Sequence, residues 1–226
     1  MKKKIITALA GEFVHPTTRQ LRQLAGSAPN GVELRIYDDA EAFNHLEDSN
    51  LFLAAGLHWT QSPTVTWTES CPYLPPTEIQ KNKLRAYAAS GKPIFSLHGG
   101  IASYDDWPEY GQLLGFAWHW DVTTHGPVKE YRIYPSLEGS PLNVCGEFRI
   151  TDENYYNVQV NLGAAYETHL KIDCGDVQLP ALITSDGTDQ IGGGRRAWLA
   201  LGHDLHSISN PVFPKIFWST VASLIK

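Results

Sequence analysis

A chain of 226 residues, 42% hydrophobic and 19% charged, can bury a sizeable core without disulfide or metal support. Its net charge of −6 at pH 7 argues against nucleic acid as a partner, because phosphate binding needs a basic face. Cys71, Cys145 and Cys174 are odd in number and widely spaced, which excludes a disulfide frame and a thiolate zinc site and implies a reducing, cytoplasmic setting.

The opening "MKKKIITALAGEFVHP" has a basic lead, but its apolar run is too short for a signal-peptide core. It reads as a buried first strand, and no segment approaches the roughly 18–20 apolar residues of a membrane helix. Thr17 or Thr18 is placed to cap a helix through "RQLRQLAG", with Gly26 as its stop. "GVELRIYD" alternates as a second strand, "AEAFNHLE" reads as a short helix, and "NLFLAAG" as a third strand. Strand–helix alternation at this spacing implies right-handed crossovers and a parallel sheet.

Residues 57 to 76, with four prolines and two tryptophans, break that rhythm and read as a long functional loop. A helix follows from the Thr77 cap to the Gly91 stop, with Ile79, Leu84 and Tyr87 as its apolar stripe. "KPIFSLH" is a fourth strand that turns at Gly99-Gly100, and "DDWPEYGQLLG" a further helix. The segment 116–175 carries short alternating pieces and reads as a β-rich insertion within a single domain spanning 1–226. "PALITSD" and "RAWLALG" are the last strands, and "PVFPKIFWSTVASLIK" closes the chain as an amphipathic helix.

In open α/β sheets ligands bind beyond the carboxyl ends of the strands. His15, His58, His98 and His203 each follow a predicted strand, so all four are expected along that edge. His98 and His203 sit on glycine-flanked turns, where backbone can approach a ligand closely. In "TDENYY", Asp152 and Glu153 point to opposite faces of a strand, so one of them can reach the site. Trp59, Trp67, Trp107, Trp118 and Trp120 fall in loops around the same edge, where aromatic faces suit the apolar faces of sugar rings.

"PIFSLHGG" resembles the strand–turn–helix elbow of the class I glutamine amidotransferase-like fold, and "ALGHDLHSISNPVFPKIFWSTVASLI" resembles its final strand, site histidine and closing helix. The sequence is most similar to the ThuA-like (trehalose utilisation) branch, through "LHGG", "WPEYGQLLGFAWHWDVTTH", "TDENYY", "GGGRRAWLALGHD" and His15. Where that branch often has His-Pro, this chain has Tyr134-Pro135, and its middle region matches weakly.

The resemblance implies a flavodoxin-like, mostly parallel α/β sheet and a role in carbohydrate catabolism, on a sugar or keto-sugar derivative. Histidine at the elbow, where the amidotransferases have their cysteine, argues against glutamine hydrolysis. It supplies a group that titrates near neutrality. The expected catalytic residues are therefore His98 and His203 as an acid/base pair, assisted by Glu153, which the resemblance favours over Asp152. His15, Gly99, Trp107, His125 and Asp204 are expected to line the substrate pocket. No cofactor is fixed by the sequence. One alternative is a metal-dependent hydrolase or isomerase with a divalent ion on His98, His125 and His203. Another is a non-catalytic sugar-binding module. The expected partner is a small carbohydrate, with no nucleic acid and no membrane; self-association is left open.

Overall fold

The computed structural model describes residues 3–60 and 73–226. Strands β1 (Lys4–Leu9) and β2 (Val32–Tyr37) flank helix α1 (Thr17–Ala25), followed by β3 (Leu51–Ala54), α2 (Glu78–Ala89), β4 (Ile94–Leu97) and α3 (Glu109–Leu114). Then come β5 (Phe116–Ala117), β6 (Thr124–His125), β7 (Lys129–Pro135), β8 (Phe148–Asp152), β9 (Tyr155–Tyr156) and β10 (Gln159–Val160). The chain closes with β11 (Glu167–Asp173), β12 (Gln178–Ser185), β13 (Arg196–Leu199), α4 (Leu205–Ile208) and α5 (Phe213–Leu224).

Nine strands form one sheet in the order β2-β1-β3-β4-β13-β12-β11-β7-β8. The first five are mutually parallel, in the flavodoxin-like order, and the last four extend the sheet antiparallel. The segment 116–175 thus adds β7, β8 and β11 to the main sheet, beyond β12. β3, β4 and β13 are buried at every residue, as strands covered on both faces must be, whereas β7 alternates.

Strand alternation sends Leu53 and Phe95 to the face covered by α1 and α5, where Leu21, Phe213 and Phe217 pack. It sends Phe52 and Ile94 to the face covered by α2 and α3, with Leu84, Tyr87, Tyr110 and Leu114. Among the described residues no helix is long and apolar enough to cross a membrane.

Two local expectations fail. Pro16 occupies the cap position of α1, because the Thr17 hydroxyl donates to the Gly11 carbonyl and the Thr18 hydroxyl to Asp38, tying down the preceding loop. Ile79 is 70% exposed, since the Thr77–Gln80 capping box turns the first turn of α2 outward and leaves Leu84 and Tyr87 to anchor it. Trp67 and Cys71 lie outside the described residues.

Buried His169 accepts or donates on both ring nitrogens, to Ser140 Oγ at 2.7 Å and Thr184 Oγ1 at 2.6 Å. Burial holds its pKa below the ordinary histidine value. The neutral ring is therefore favoured in the fold, and its stability contribution is present above about pH 6.5 and lost as pH falls through the lower folded value. Acidification from pH 7 to 5 should lower the urea midpoint, by no more than ~1.4 kcal/mol per pH unit for this one proton. His169→Gln should flatten that slope, and an unchanged slope would count against the assignment.

Candidate functional site

The carboxyl ends of β1, β4 and β13 meet the end of β8 at the floor of a cleft of about 630 Å³. His15 follows β1, His98 begins the turn after β4, and His203 follows β13. Their rings stand edge to face, with centroids 4.7 Å apart for His15–His98, 4.9 Å for His15–His203 and 5.5 Å for His98–His203. Glu153, 5% exposed, sits among them: Oε1 is 3.1 Å from His98 Nε2 and Oε2 is 3.4 Å from His203 Nδ1.

Backbone strain frames this cluster. His98 itself is in the left-handed region (φ 47°), and so is β-branched Val14 (φ 59°), immediately before His15. The His98 carbonyl is caught by the Trp198 indole N–H at 3.2 Å, and its Nδ1 faces the Ala200 carbonyl at 2.6 Å. A side chain at Gly99 would come within 3.0 Å of the His15 ring and 3.4 Å of the Tyr155 hydroxyl, so only glycine leaves the floor open.

Asp152 and Glu153 divide the work as strand alternation requires. Glu153 enters the cleft, while fully buried Asp152 accepts backbone N–H bonds from Glu153 at 2.9 Å, Gly202 at 2.8 Å and His203 at 3.1 Å.

Electrostatics follow from one carboxylate among several imidazoles. Burial would raise the pKa of Glu153, but the His203 and His98 contacts outweigh it and hold the carboxyl far below the usual range. Glu153 in turn pulls His203 upward, against the effect of burial. His15 is pushed well down, by burial first and then by the charges of His98 and His203.

One donor atom from each of His15, His98, His203 and Glu153 lies within 4.8 Å of the others, a set that could hold a metal ion. His125 is not in it. Its Nδ1 is 3.2 Å from Glu153 Oε2, but the ring is 57% exposed on the rim, and His15 stands in the set where His125 is expected.

Two expected pocket residues do not line the cleft. Trp107 is buried in the core beside α2, with Arg85 and Lys81 over its ring and its N–H on Glu109, because α3 starts there and draws it inward. Asp204 caps α4 through the Ser207 N–H at 2.8 Å. His58 likewise turns away, with Nε2 on the Ala10 carbonyl and its ring stacked on Tyr104.

Trp59, Trp118 and Trp120 do form a wall of the cleft, packed edge to face at 5.0 and 5.8 Å. Tyr155 was missed by the sequence reading, although it stands two residues beyond Glu153 and so shares its face. Its ring lies 4.8 Å from His98, and burial together with the Glu153 carboxylate holds its hydroxyl well above the ordinary tyrosine pKa.

No protein-family model matches this sequence, and no curated protein does. Solved structures with the same architecture include a ThuA-like protein from Parabacteroides merdae, at TM-score 0.73 and 13% identity, over 100% of this chain and 91% of that one. Another, from Bacteroides uniformis, matches at TM-score 0.64 and 15% identity over 97% and 89%. A glutamine amidotransferase from Thermotoga maritima matches at TM-score 0.52 and 8% identity over 100% and 99%. At these identities the likeness establishes a shared glutamine amidotransferase-like fold.

Proposed function

We propose that this protein is a ThuA-like enzyme of the cytoplasm that acts on an uncharged sugar or keto-sugar derivative. The observation that carries the proposal is the His15–His98–His203–Glu153 cluster at the floor of a tryptophan-walled cleft. Aromatic walls suit the C–H faces of a sugar ring. No lysine or arginine lines the cleft among the described residues, and the sequence from 61 to 72 contains neither. A phosphorylated or carboxylated substrate would find no lysine or arginine there. The elbow carries His98 in place of a cysteine nucleophile, which speaks against an amidotransferase.

Isomerisation or hydrolysis of such a compound needs a polarised oxygen and a group that moves a proton. The cluster supplies the polarising end. One further group faces the cleft with a proton to give, the Tyr155 hydroxyl, kept protonated by burial and by Glu153; the His125 ring stands on the rim, 3.2 Å from Glu153. This division departs from a simple His98/His203 acid/base pair, because His98 is 1% exposed and committed to Ala200.

The test is a panel of neutral mono- and disaccharides, their keto derivatives and the matching sugar phosphates, incubated in D2O and followed by NMR. Deuterium uptake or a new product is expected with neutral members and not with phosphates. Tyr155→Phe should reduce turnover by roughly 10²–10⁴-fold with little change in KM, and Glu153→Gln should abolish it. Turnover that survives Glu153→Gln, or a preference for phosphates, sinks the proposal. Binding without exchange or product would leave a sugar-binding module.

A further inference from the structure

His98 presents a problem in hydrogen-bond accounting. The Ala200 carbonyl can only accept, so His98 Nδ1 carries a hydrogen and donates at 2.6 Å. In a neutral ring Nε2 is then a bare lone pair, 3.1 Å from the carboxylate oxygen Oε1 of Glu153. Two lone pairs at that distance repel unless a cation lies between or beside them. Protonating Nε2 would turn the contact into an ion pair, yet still without a hydrogen bond, because Nε2 has no hydrogen-bond partner.

The same holds around the cluster. His15 Nδ1 and His203 Nδ1 are also buried atoms with no hydrogen-bond partner. Leaving a buried polar atom unpaired costs about 1–3 kcal/mol, and two of these nitrogens, His98 Nε2 and His203 Nδ1, sit beside one carboxylate. Buried His169 shows the contrast, since both of its nitrogens are satisfied by hydroxyls.

The two Glu153 separations fit a shared ion, within a set of four ligand atoms that lie inside 4.8 Å of one another. Ligands about 2.1 Å from one metal lie roughly 3.0–3.4 Å from their neighbours, the edge of an octahedron or a tetrahedron. The Glu153 contacts are 3.1 Å to His98 and 3.4 Å to His203. The three rings are turned 75–79° from one another, so they meet edge on instead of stacking. The support expected behind ligands is present too: Ala200 fixes the His98 tautomer, and Asp152 holds the backbone of Glu153 and His203.

We propose that His15, His98, His203 and Glu153 form a mononuclear site for a first-row divalent transition metal. Three imidazoles and one carboxylate, with no thiolate, select zinc, iron(II) or a similar ion over calcium and magnesium. The cleft side of the cluster is left for water or a substrate oxygen, where the ion would act as the polarising group. The inference goes beyond the sugar reading, since the ion binds whatever the substrate is.

The experiment uses untagged full-length protein. Metal content is measured by mass spectrometry as purified. The chelator-stripped protein is then titrated with Zn²⁺ against a chromophoric competitor, and with Co²⁺ by visible absorption. One ion per chain and ligand-field bands of imidazole-bound cobalt are expected. His98→Ala and the near-isosteric Glu153→Gln should weaken Zn²⁺ by at least the roughly 10–100-fold that loss of a mere outer-shell partner costs. His125→Ala, and His45→Ala at a surface histidine, should keep full stoichiometry.

Zn²⁺ should also raise the melting temperature of wild type and not of His98→Ala, which decides the matter if a variant is poorly folded. Wild type that binds no tighter than His98→Ala, or stoichiometry lost only in His125→Ala, overturns the site. One ion per chain with every sugar untouched would leave the metal site standing and end the sugar reading. Sugar turnover by chelator-stripped protein would do the reverse.

Discussion

Asp152→Ala should cost about 3–5 kcal/mol of unfolding free energy, the range for breaking a buried, charge-assisted network. The side chain never reaches the cleft, yet it accepts three backbone N–H bonds, from Glu153, Gly202 and His203. These tie the end of β8 to the loop after β13, and so hold two members of the cluster to each other. Gly202 is at φ 114°, where a side chain is strained and would also meet the Phe213 ring at 3.2 Å, so the loop has no easy alternative path. Asp152→Asn keeps the volume but sets an amide N–H₂ against the Gly202 N–H, for about 1–2 kcal/mol. Urea unfolding measures both, and native hydrogen exchange should show the Gly202 and His203 amides among the most protected. Rapid exchange of those amides in wild type would contradict the clamp.

Arg196→Met should be about as damaging, at roughly 3–5 kcal/mol, or roughly 6–20 °C in melting temperature for a domain of this size. Arg196 is fully buried, and no carboxylate figures in its surroundings among the described residues. Its guanidinium instead donates to the carbonyls of Leu113 at 2.9 Å, Gly194 at 2.7 Å and Ile191 at 3.0 Å, with weaker bonds to Arg195 and Lys92. Burial pulls its pKa down to about 10, so it remains charged at neutral pH. Five carbonyls from the end of α3, the glycine turn before β13 and the start of β4 converge on this one group. Methionine fills the space and leaves them unpaired. Arg196→Lys keeps the charge but cannot fan out to several carbonyls, so it should recover only part of the loss. A melting temperature within a degree of wild type for Arg196→Met would refute this account.

Neither residue stood out in the sequence as a structural hub. "TDENYY" exposed the Asp152/Glu153 choice because strand alternation allows only one of them into the cleft, but the inward role of Asp152 depends on a loop fifty residues away. Arg196, in "GGGRR", looked like part of a glycine turn, and the turn is real. What makes the arginine central is a cage of carbonyls drawn from three distant segments.

The sequence by itself determined the parallel half of the sheet and the edge on which the chemistry gathers, while its flavodoxin-like winding is what the family resemblance implies. The sheet and its edge follow from local rules: continuous apolar runs for strands buried on both faces, glycine at the turns, and helices of a length suited to crossovers. The rule for loops beyond strand ends pointed to His15, His98 and His203, the resemblance pointed to Glu153, and these four come together in the structure.

Only the tertiary structure decided which of these groups touch. His58 follows a strand as His15 does, yet it turns back to the Ala10 carbonyl. Trp107 shares its loop neighbourhood with Trp118 and Trp120 but is drawn into the core under Arg85. His125 reaches the rim and not the floor. Side-chain direction at a loop depends on what the rest of the chain packs against it. That information is long-range and has no period for a sequence to display.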